Sequence, residues 1–264
     1  MRVTVLGSGT SHGVPAIGCD CSVCHSSDPR DKRTRPSIWI ELEGEAPSPF
    51  ASAVRSILVD TSTDLRMQAI DRDMRRVDAI LFTHSHADHV FGLDDVRRYN
   101  QMQRTSIPCY ADEETAGNLR RMFSYVFDPP QQVGGGIPQL VLFRIAGPFT
   151  LGGVEIVPVP LCHGRLPVLG FRIGTFAYLT DCNRIPDESW PLLDGTRTLI
   201  LDALRHRPHS THFSVGEAVE VVERLGAERA YFTHVCHDLA HAATNAQLPA
   251  GVELAYDGLR LEIP

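Results

Sequence analysis

Long apolar runs are missing from this sequence, since no stretch approaches the 18 consecutive apolar residues of a membrane span. The first seven residues form a short alternating strand that runs into a glycine, and they lack the pattern of a secretory signal. Arginine- and lysine-rich insertions are missing too, and the formal net charge is −7. We therefore expect neither a membrane protein nor a protein that coats nucleic acid, which would be basic.

The seven cysteines do not form the even, spread set that a disulfide framework needs. Three of them cluster between residues 19 and 24, and four are isolated. This pattern favours a reducing cytoplasm in which thiolates bind a metal. With 43% apolar and 22% charged residues, the chain has the composition of a folded protein. Its 264 residues predict one large domain over residues 1–264.

Hydrophobic periodicity predicts two strand-rich stretches around a helical middle. The predicted strands are 2–6, 37–43, 56–60, 78–83, 139–145, 154–161, 170–173, 177–180, 198–201, 230–233 and 253–262. The predicted helices are 63–70, 88–103, 113–127 and 214–225. Glycine and proline indicate a loop at 42–53 and a break at 128–136, interpreted as a seam between two halves of one domain. This order favours two mixed sheets packed face to face, with helices outside.

Residues 84–89 carry four metal-binding side chains at the end of an apolar strand. In a turn, His84 and His86 can bind one ion, and Asp88 and His89 can bind a second. Imidazole and carboxylate ligands suit zinc, manganese or iron. The alternative is a polar helix start with Asp88 as N-cap. Four ligands at this spacing favour the metal interpretation.

The segment at 84–89 resembles the HxHxDH signature of the metallo-β-lactamase superfamily. The other elements of that family occur here in the expected order, and they are Asp60, His163, Asp181 and His234. The resemblance covers essentially the whole chain. It implies an α/β fold, the four-layer αββα sandwich, with the site at the sheet edges.

The resemblance also implies how the ligands divide between two divalent ions, zinc or manganese. The ligands of one ion would be His84, His86 and His163. The ligands of the other would be Asp88, His89 and His234. Asp181 would bridge the two ions, and Asp60 would orient ligands through hydrogen bonds.

A second metal site is predicted near residues 19–25, where three thiolates fall within six residues. The thiolates belong to Cys19, Cys21 and Cys24. A tetrahedral structural zinc needs a fourth ligand. His237 is the best candidate, because it lies three residues after the last predicted catalytic ligand. Cys236 is the second candidate, and the adjacent His25 would be strained.

The glycine-rich turn at 7–15, followed by the cysteine cluster, resembles the cyclic phosphodiesterases of bacterial phosphonate breakdown. This narrower resemblance implies a structural zinc held by the three cysteines and His237. It also implies a non-ligand histidine at the scissile phosphate, which His212 matches at 22 residues before His234. The turn does not fit the GxGxxG pattern of a dinucleotide site. It is interpreted as shaping the backbone near the metals.

The expected function is hydrolysis of a small, cyclic phosphodiester by a dinuclear metal site. His212 would stabilise the phosphoryl charge or protonate the leaving alkoxide, and Asp88, chiefly a ligand, would help to position the nucleophile. Arg97 could contact phosphate, although pairing with Asp94 or Asp95 on the helix surface is favoured. His241 is assigned either to a hydrogen bond with His237 or to the surface.

Several alternatives stay open at this point. A tRNA 3′-end endonuclease is disfavoured by the missing basic arm, and a thioester or lactam hydrolase by the cysteine cluster and His212. The hypothesis of a metal-storing or redox-sensing protein, based on the three clustered cysteines, does not explain the seven predicted ligands of the dinuclear site. A non-catalytic biosynthetic accessory protein of the same fold is compatible with complete ligands. The expected partner is a small phosphodiester, with neither membrane nor nucleic acid, and a homodimer is compatible with the sequence.

Overall fold

The computed structural model describes residues 1–42, 54–128 and 136–264. Most of the predicted loop at 42–53 and of the predicted break at 128–136 lies outside these residues. Within the described ranges, no helix combines the length and apolar character that a bilayer crossing requires.

Two seven-stranded sheets dominate the described part of the chain. The first strands belong to sheet I, and they are β1 (Arg2–Gly7), β2 (Ser37–Glu41), β3 (Ser56–Val59), β4 (Ala79–Leu81), β5 (Ile107–Ala111) and β6 (Leu140–Arg144). The next strands form sheet II, and they are β7 (Phe149–Leu151), β8 (Val154–His163), β9 (Leu166–Ile173), β10 (Phe176–Leu179), β11 (Thr198–Asp202), β12 (Arg229–Thr233) and β13 (Val252–Leu254). The last strand, β14 (Arg260–Glu262), returns to sheet I beside β1.

The two sheets are built alike. Sheet I has the strand order β14-β1-β2-β3-β4-β5-β6, and sheet II has the order β13-β12-β11-β10-β9-β8-β7. Strands β3 to β6 are parallel to one another, as are strands β10 to β13. Carboxyl ends of parallel strands meet at one edge of a sheet, where ligand sites of open α/β sheets usually lie.

The helices follow the parallel strands. Five lie in the first half, and they are α1 (Leu65–Asp71), α2 (Ala87–Val90), α3 (Arg97–Gln103), α4 (Glu113–Met122) and α5 (Ser124–Phe127). Two lie in the second half, and they are α6 (Val215–Leu225) and α7 (His241–Asn245). Short 3-10 turns occur at Pro29–Asp31, Leu93–Val96 and Asp187–Leu193. A capping box of Ser214 and Glu217 begins α6, and Gly226 ends it with φ 70°.

Alternating side chains of the strands produce the layers. In β3, Ile57 packs in a central cluster with Ile200 of β11, whereas its neighbour Leu58 packs against the helices on sheet I. In β11, the neighbouring Leu199 packs instead with Val222 of α6. Each sheet therefore buries one face against the other sheet and one face against helices. The predicted αββα sandwich is confirmed.

Two predicted elements differ in the structure, and strands β5 and β7 were not predicted. The helix at 88–103 is broken at Gly92, whose backbone lies so close to the Ser62 carbonyl that a Cβ would overlap it. The strand at 253–262 is two strands in different sheets, β13 and β14. The sequence analysis missed β5, because Pro108 interrupts its apolar alternation.

Candidate metal centre

The predicted ligands lie at carboxyl ends of strands from both sheets. In sheet I, Asp60 follows β3, and the motif at 84–89 joins β4 to α2. In sheet II, His163 ends β8, Asp181 follows β10, and His234 follows β12. The two sheets thus bring side chains from distant parts of the sequence to one edge of the sandwich.

Three of these residues have a left-handed backbone, with φ of 63° at Asp60, 53° at Asp181 and 58° at His234. A non-glycine residue in this conformation costs about 1–3 kcal/mol. Among the described non-glycine residues, the others with positive φ are Asp73 and Arg104. The surrounding structure therefore holds three residues of the site, each just after a strand, in a backbone conformation that non-glycine residues rarely adopt.

Seven predicted ligands form two groups that share Asp181. The first group is His84, His86, His163 and Asp181, and the second is Asp88, His89, Asp181 and His234. Within each group, one ligand atom from every residue lies within 4.8 Å of the others. Asp181 Oδ1 is 3.2 Å from His89 Nε2, and Asp181 Oδ2 is 3.3 Å from His234 Nε2. Ligands at about 2.1 Å from a tetrahedral ion lie roughly 3.4 Å apart, so these spacings suit a divalent ion.

Buried ligand atoms without a hydrogen-bond partner test whether the residues fit a metal. Within the described residues, these atoms are His84 Nε2, Asp88 Oδ2, His89 Nε2, and Nδ1 and Nε2 of His234. Leaving a buried polar atom without a partner costs about 1–3 kcal/mol each, so such atoms are rare. Because they belong to two adjacent ligand groups, bound divalent ions would satisfy most of them together. The residues therefore fit a metal centre, and the exposed side chain of His86 lies on its open side.

The protonation of the rings agrees with this assignment. Burial, followed by the charge of nearby His89, lowers the pKa of His84. Burial also lowers the pKa of His86 and of His163. A neutral imidazole offers the free lone pair that a metal ligand needs. Burial alone would lower the pKa of His89, but neighbouring carboxylates, led by Asp181, outweigh it and raise that pKa. The second group therefore attracts a cation.

Hydrogen bonds orient two of the rings. The buried carboxylate of Asp60 accepts a hydrogen bond from His89 Nδ1 at 2.7 Å and another from the Thr83 backbone N–H at 2.9 Å. His163 Nδ1 donates to the Thr211 carbonyl at 2.8 Å. These bonds leave Nε2 of both rings directed to the centre. Asp60 lies beside a ligand, where the resemblance placed it.

His212 lies beside both ligand groups. Its ring centroid is 4.6 Å from that of His163, and it stacks on His234 at 4.5 Å with an interplanar angle of 14°. A hydrogen bond of 2.6 Å joins His212 Nδ1 and Asp202 Oδ2. Burial raises the pKa of the Asp202 carboxyl and lowers the pKa of the His212 imidazole, which favours a neutral pair. In this pair the Asp202 O–H donates to Nδ1, and the proton of the ring lies on Nε2.

The sequence analysis missed Asp202. This residue ends β11, a fully buried strand, just as Asp60 and Asp181 follow buried strands. An aspartate directly after an apolar strand was therefore a usable signal. Its carboxylate also accepts the backbone N–H of Cys182 at 2.8 Å, which links it to the residue after Asp181.

The cysteine cluster meets His237, the predicted fourth ligand. His237 Nδ1 lies 3.1 Å from Cys19 Sγ, 3.5 Å from Cys21 Sγ and 3.6 Å from Cys24 Sγ. These spacings suit four ligands around one tetrahedral zinc. His25 is instead exposed, with its Nε2 3.4 Å from the Asp20 carboxylate.

Backbone N–H groups donate to two sulfurs of this cluster, although burial raises the pKa of the Cys24 thiol to about 11. The Cys24 N–H donates to Cys21 Sγ at 3.4 Å, and the Ala16 N–H donates to Cys24 Sγ at 3.3 Å. The hydrogen bond from Cys24 is the main cause that lowers the pKa of the Cys21 thiol to about 6. A thiolate is the form that binds zinc.

A buried ion pair holds the loop that carries His237. The guanidinium of Arg33 donates to the carbonyls of Cys236 at 3.0 Å and Leu239 at 2.7 Å, and to Asp31 Oδ1 at 2.9 Å. Asp31 Oδ1 also accepts the His241 backbone N–H at 2.8 Å. Both side chains are almost fully buried. The guanidinium of Arg33 is therefore buried and hydrogen-bonded within the fold, and it is not available to bind a substrate.

Two residues with open assignments are now placed. His241 is buried, so its interpretation as a surface residue is wrong. Its ring lies 3.1 Å from Asn245 Nδ2, and no contact with His237 is found within the described residues. Arg97 pairs with Asp94 at 3.0 Å on the helix surface, which was the favoured alternative.

Comparison with known proteins gives the family. Residues 55–235 match the model of the Beta-lactamase superfamily domain. The chain belongs to this superfamily. One similar crystal structure is that of a new diphosphatase from the PhnP family, whose sequence is 44% identical to our chain. The match covers 100% of our chain and 98% of that chain, with a TM-score of 0.89. Zinc-bound PqqB from Methylobacterium extorquens shares the fold at 20% identity and a TM-score of 0.75, covering 100% of both chains.

A longer curated relative is the octanoyltransferase of Porphyromonas gingivalis, 36% identical over 98% of our chain. Our chain spans 51% of that protein, about half its length. The name of that relative therefore describes a protein about twice as long. The superfamily, the PhnP-family neighbour and the ligand groups together support a metallo-β-lactamase fold with candidate metal-binding groups.

Proposed function

We propose that this chain is a phosphodiesterase that uses two divalent ions, zinc or manganese, to hydrolyse small phosphodiesters, including cyclic ones. The observation that carries the proposal is the carboxylate of Asp181, which belongs to two adjacent ligand groups. His212 lies against a ligand of each group, through His163 and His234. Hydrolysis of a phosphoester is catalysed by two adjacent metal ions together with a proton donor for the leaving group, and this arrangement of residues would supply both.

When bound, divalent ions would supply Lewis acidity at phosphoryl oxygens and lower the pKa of a water molecule. The side chains of the chain bind the ions and orient one another. Asp88, Asp181 and the imidazoles would be the ligands of the ions, and Asp60 keeps His89 in one orientation. His212 would donate its Nε2 proton to the leaving oxygen, while Asp202 fixes the ring through Nδ1.

The surface charge supports a small substrate over a nucleic acid. Two arginines near the cysteine loop are committed to the fold: Arg33 is buried, and Arg35 pairs with Asp64 at 3.0 Å. Neither of these two arginines is therefore available to bind a phosphate backbone, and the formal net charge of the chain is −7. We propose a small phosphodiester as partner, a reducing cytoplasm as compartment and a third, structural zinc on the cysteine cluster.

Hydrolysis of a diphosphate bond is a second candidate function. The neighbour at 44% identity and near-complete coverage is a diphosphatase of the PhnP family. The same centre would suit this reaction, because a phosphoanhydride also presents charged oxygens and needs an activated water. A non-catalytic biosynthetic accessory role is the third candidate, because a coenzyme PQQ synthesis protein B of Methylobacterium radiotolerans is 29% identical over 37% of our chain.

A substrate screen tests the proposal. Protein loaded separately with manganese and zinc should hydrolyse cyclic or linear phosphodiesters, and Asp88→Asn should abolish that turnover. Turnover of diphosphates alone would favour the second candidate. No turnover of either class with any metal would favour the accessory role. The matched control is Asp73→Asn, because Asp73 pairs with Arg75 on the protein surface and not with the centre.

A further inference from the structure

Residues 210–212 reach the metal centre as an irregular segment, without helix or strand hydrogen bonds of their own. Each of them is held by a different side chain, and the pairs are Ser210 with Asn183, Thr211 with His163, and His212 with Asp202. The bonded atoms are 2.9, 2.8 and 2.6 Å apart, respectively. These three hydrogen bonds help to position the His212 ring, together with the bond from the Phe213 N–H to the Cys182 carbonyl at 2.9 Å.

Asn183 is the partner that fastens two loops at once. Its Nδ2 donates to the Ser210 carbonyl at 2.9 Å, and its Oδ1 accepts the Gly164 N–H at 2.8 Å. Its own backbone N–H donates to the Cys162 carbonyl at 2.9 Å. Asn183 lies two residues after Asp181, so one amide joins the turn after β8 to the segment before His212.

The two fastened loops are already in close contact. Gly164 has φ 63°, and a Cβ at this position would come within 2.8 Å of Thr211 Cγ2. A displacement of one loop must therefore displace the other. The Asn183 amide sets the spacing between them, and it does so without contacting the His212 ring in the described structure.

We propose that Asn183 is a positioning residue for His212. The inference rests on the proposed function, in which His212 protonates the leaving oxygen. Without the Nδ2 donor, the Ser210 carbonyl is released and the following residues shift relative to the ligands. A misplacement of about 1 Å in a reacting group can cost about 10²-fold in rate.

The substitution Asn183→Asp isolates this bond. The carboxylate has nearly the same size and still accepts the Gly164 N–H, but it cannot donate to the Ser210 carbonyl. The matched control is Asn100→Asp in α3. Asn100 also fastens two loops, with Nδ2 donating to the carbonyls of Thr105 and Gln139 at 2.9 Å each. Asn183→Asp loses one donated bond and Asn100→Asp loses two, but Asn100 contacts no residue of the centre in the described part of the chain.

Two substrates with different leaving groups separate positioning from general damage. In a nucleoside 2′,3′-cyclic phosphate the leaving alkoxide needs a proton, whereas in bis(p-nitrophenyl) phosphate the leaving phenolate does not. We expect Asn183→Asp to lower kcat on the cyclic phosphate by about 10²-fold. Its KM and its turnover of bis(p-nitrophenyl) phosphate should stay close to wild type, and Asn100→Asp should not discriminate between the substrates. Equal losses on both substrates, or no loss, would overturn the proposal.

A measurement without turnover keeps this inference separate from the proposed function. The proton in the 2.6 Å bond between His212 and Asp202 should give a downfield NMR signal, identified by its loss in His212→Ala. Asn183→Asp should shift or broaden that signal, and Asn100→Asp should leave it unchanged. An unchanged signal in Asn183→Asp overturns the positioning role. A wild-type protein that hydrolyses no diester overturns the proposed function alone.

Discussion

The two candidate metal sites differ in how the chain builds them. At the centre, ligands come from strand ends of both sheets, and all except His86 are buried. In the cysteine site, three ligands come from one short loop and only Cys24 is buried. The two sites meet in one segment, because His234 belongs to the first and His237 to the second.

This difference indicates what each site can do. The centre has more ligands than one ion needs, a shared carboxylate and an exposed histidine on its open side, which leaves room for a substrate. The cysteine site offers four ligands for one tetrahedral ion and no open position, as structural zinc sites do. The sandwich forms the first site, whereas a metal in the second would fix a loop that has a small apolar cluster of its own.

The largest expected effect belongs to Asp181, whose loss would break the link between the two ligand groups. Asp181→Asn should lower diester turnover by at least about 10³-fold, because several kcal/mol of charge stabilisation are lost. Metal analysis should show fewer bound ions at the centre, while the ion at the cysteine site stays. Full metal content together with wild-type turnover would contradict the shared role of this carboxylate.

His212 should affect chemistry without affecting metal content. His212→Ala should retain all ions yet lose about 10²–10⁴ in rate, the usual scale for acid–base catalysis. Asp202→Asn should lose about 10–100-fold, since it only orients the ring. Metal analysis and kinetics on a cyclic diester check both values. Turnover unchanged in His212→Ala would remove this residue from the mechanism.

The smallest effect on turnover is expected at the cysteine site. Cys21→Ser should release one ion and lower the melting temperature, because the loop loses a ligand, while the centre still loads its ions. Cobalt substitution gives a direct readout, since thiolate ligands produce charge-transfer absorption that imidazole and carboxylate ligands lack. Cys109→Ser is a control, because Cys109 is buried in sheet I away from both sites. Loss of all metal together in Cys21→Ser would mean that the two sites are not independent.

Much of the centre could be predicted because one motif is contiguous and because the family resemblance implies where the other ligands occur. The motif at 84–89 is contiguous, and Asp60, Asp181 and His234 each follow an apolar strand. Asp202 was missed although it has the same signal, because no motif marks it. Asn183 could not be predicted, since its role comes only from the two loops that its amide joins.

Sequence alone determined the layers and the ligand types. Strand alternation sorts apolar side chains to the two faces of each sheet, and histidine, cysteine and aspartate restrict the metal. Only the tertiary structure shows that the candidate ligands lie together in these groups and what holds them there. Asp181 lies between two groups because β10 ends at the edge where β4, β8 and β12 also end. Strand pairing and sheet packing bring these residues together, and their separation in the sequence does not indicate that they are close in space.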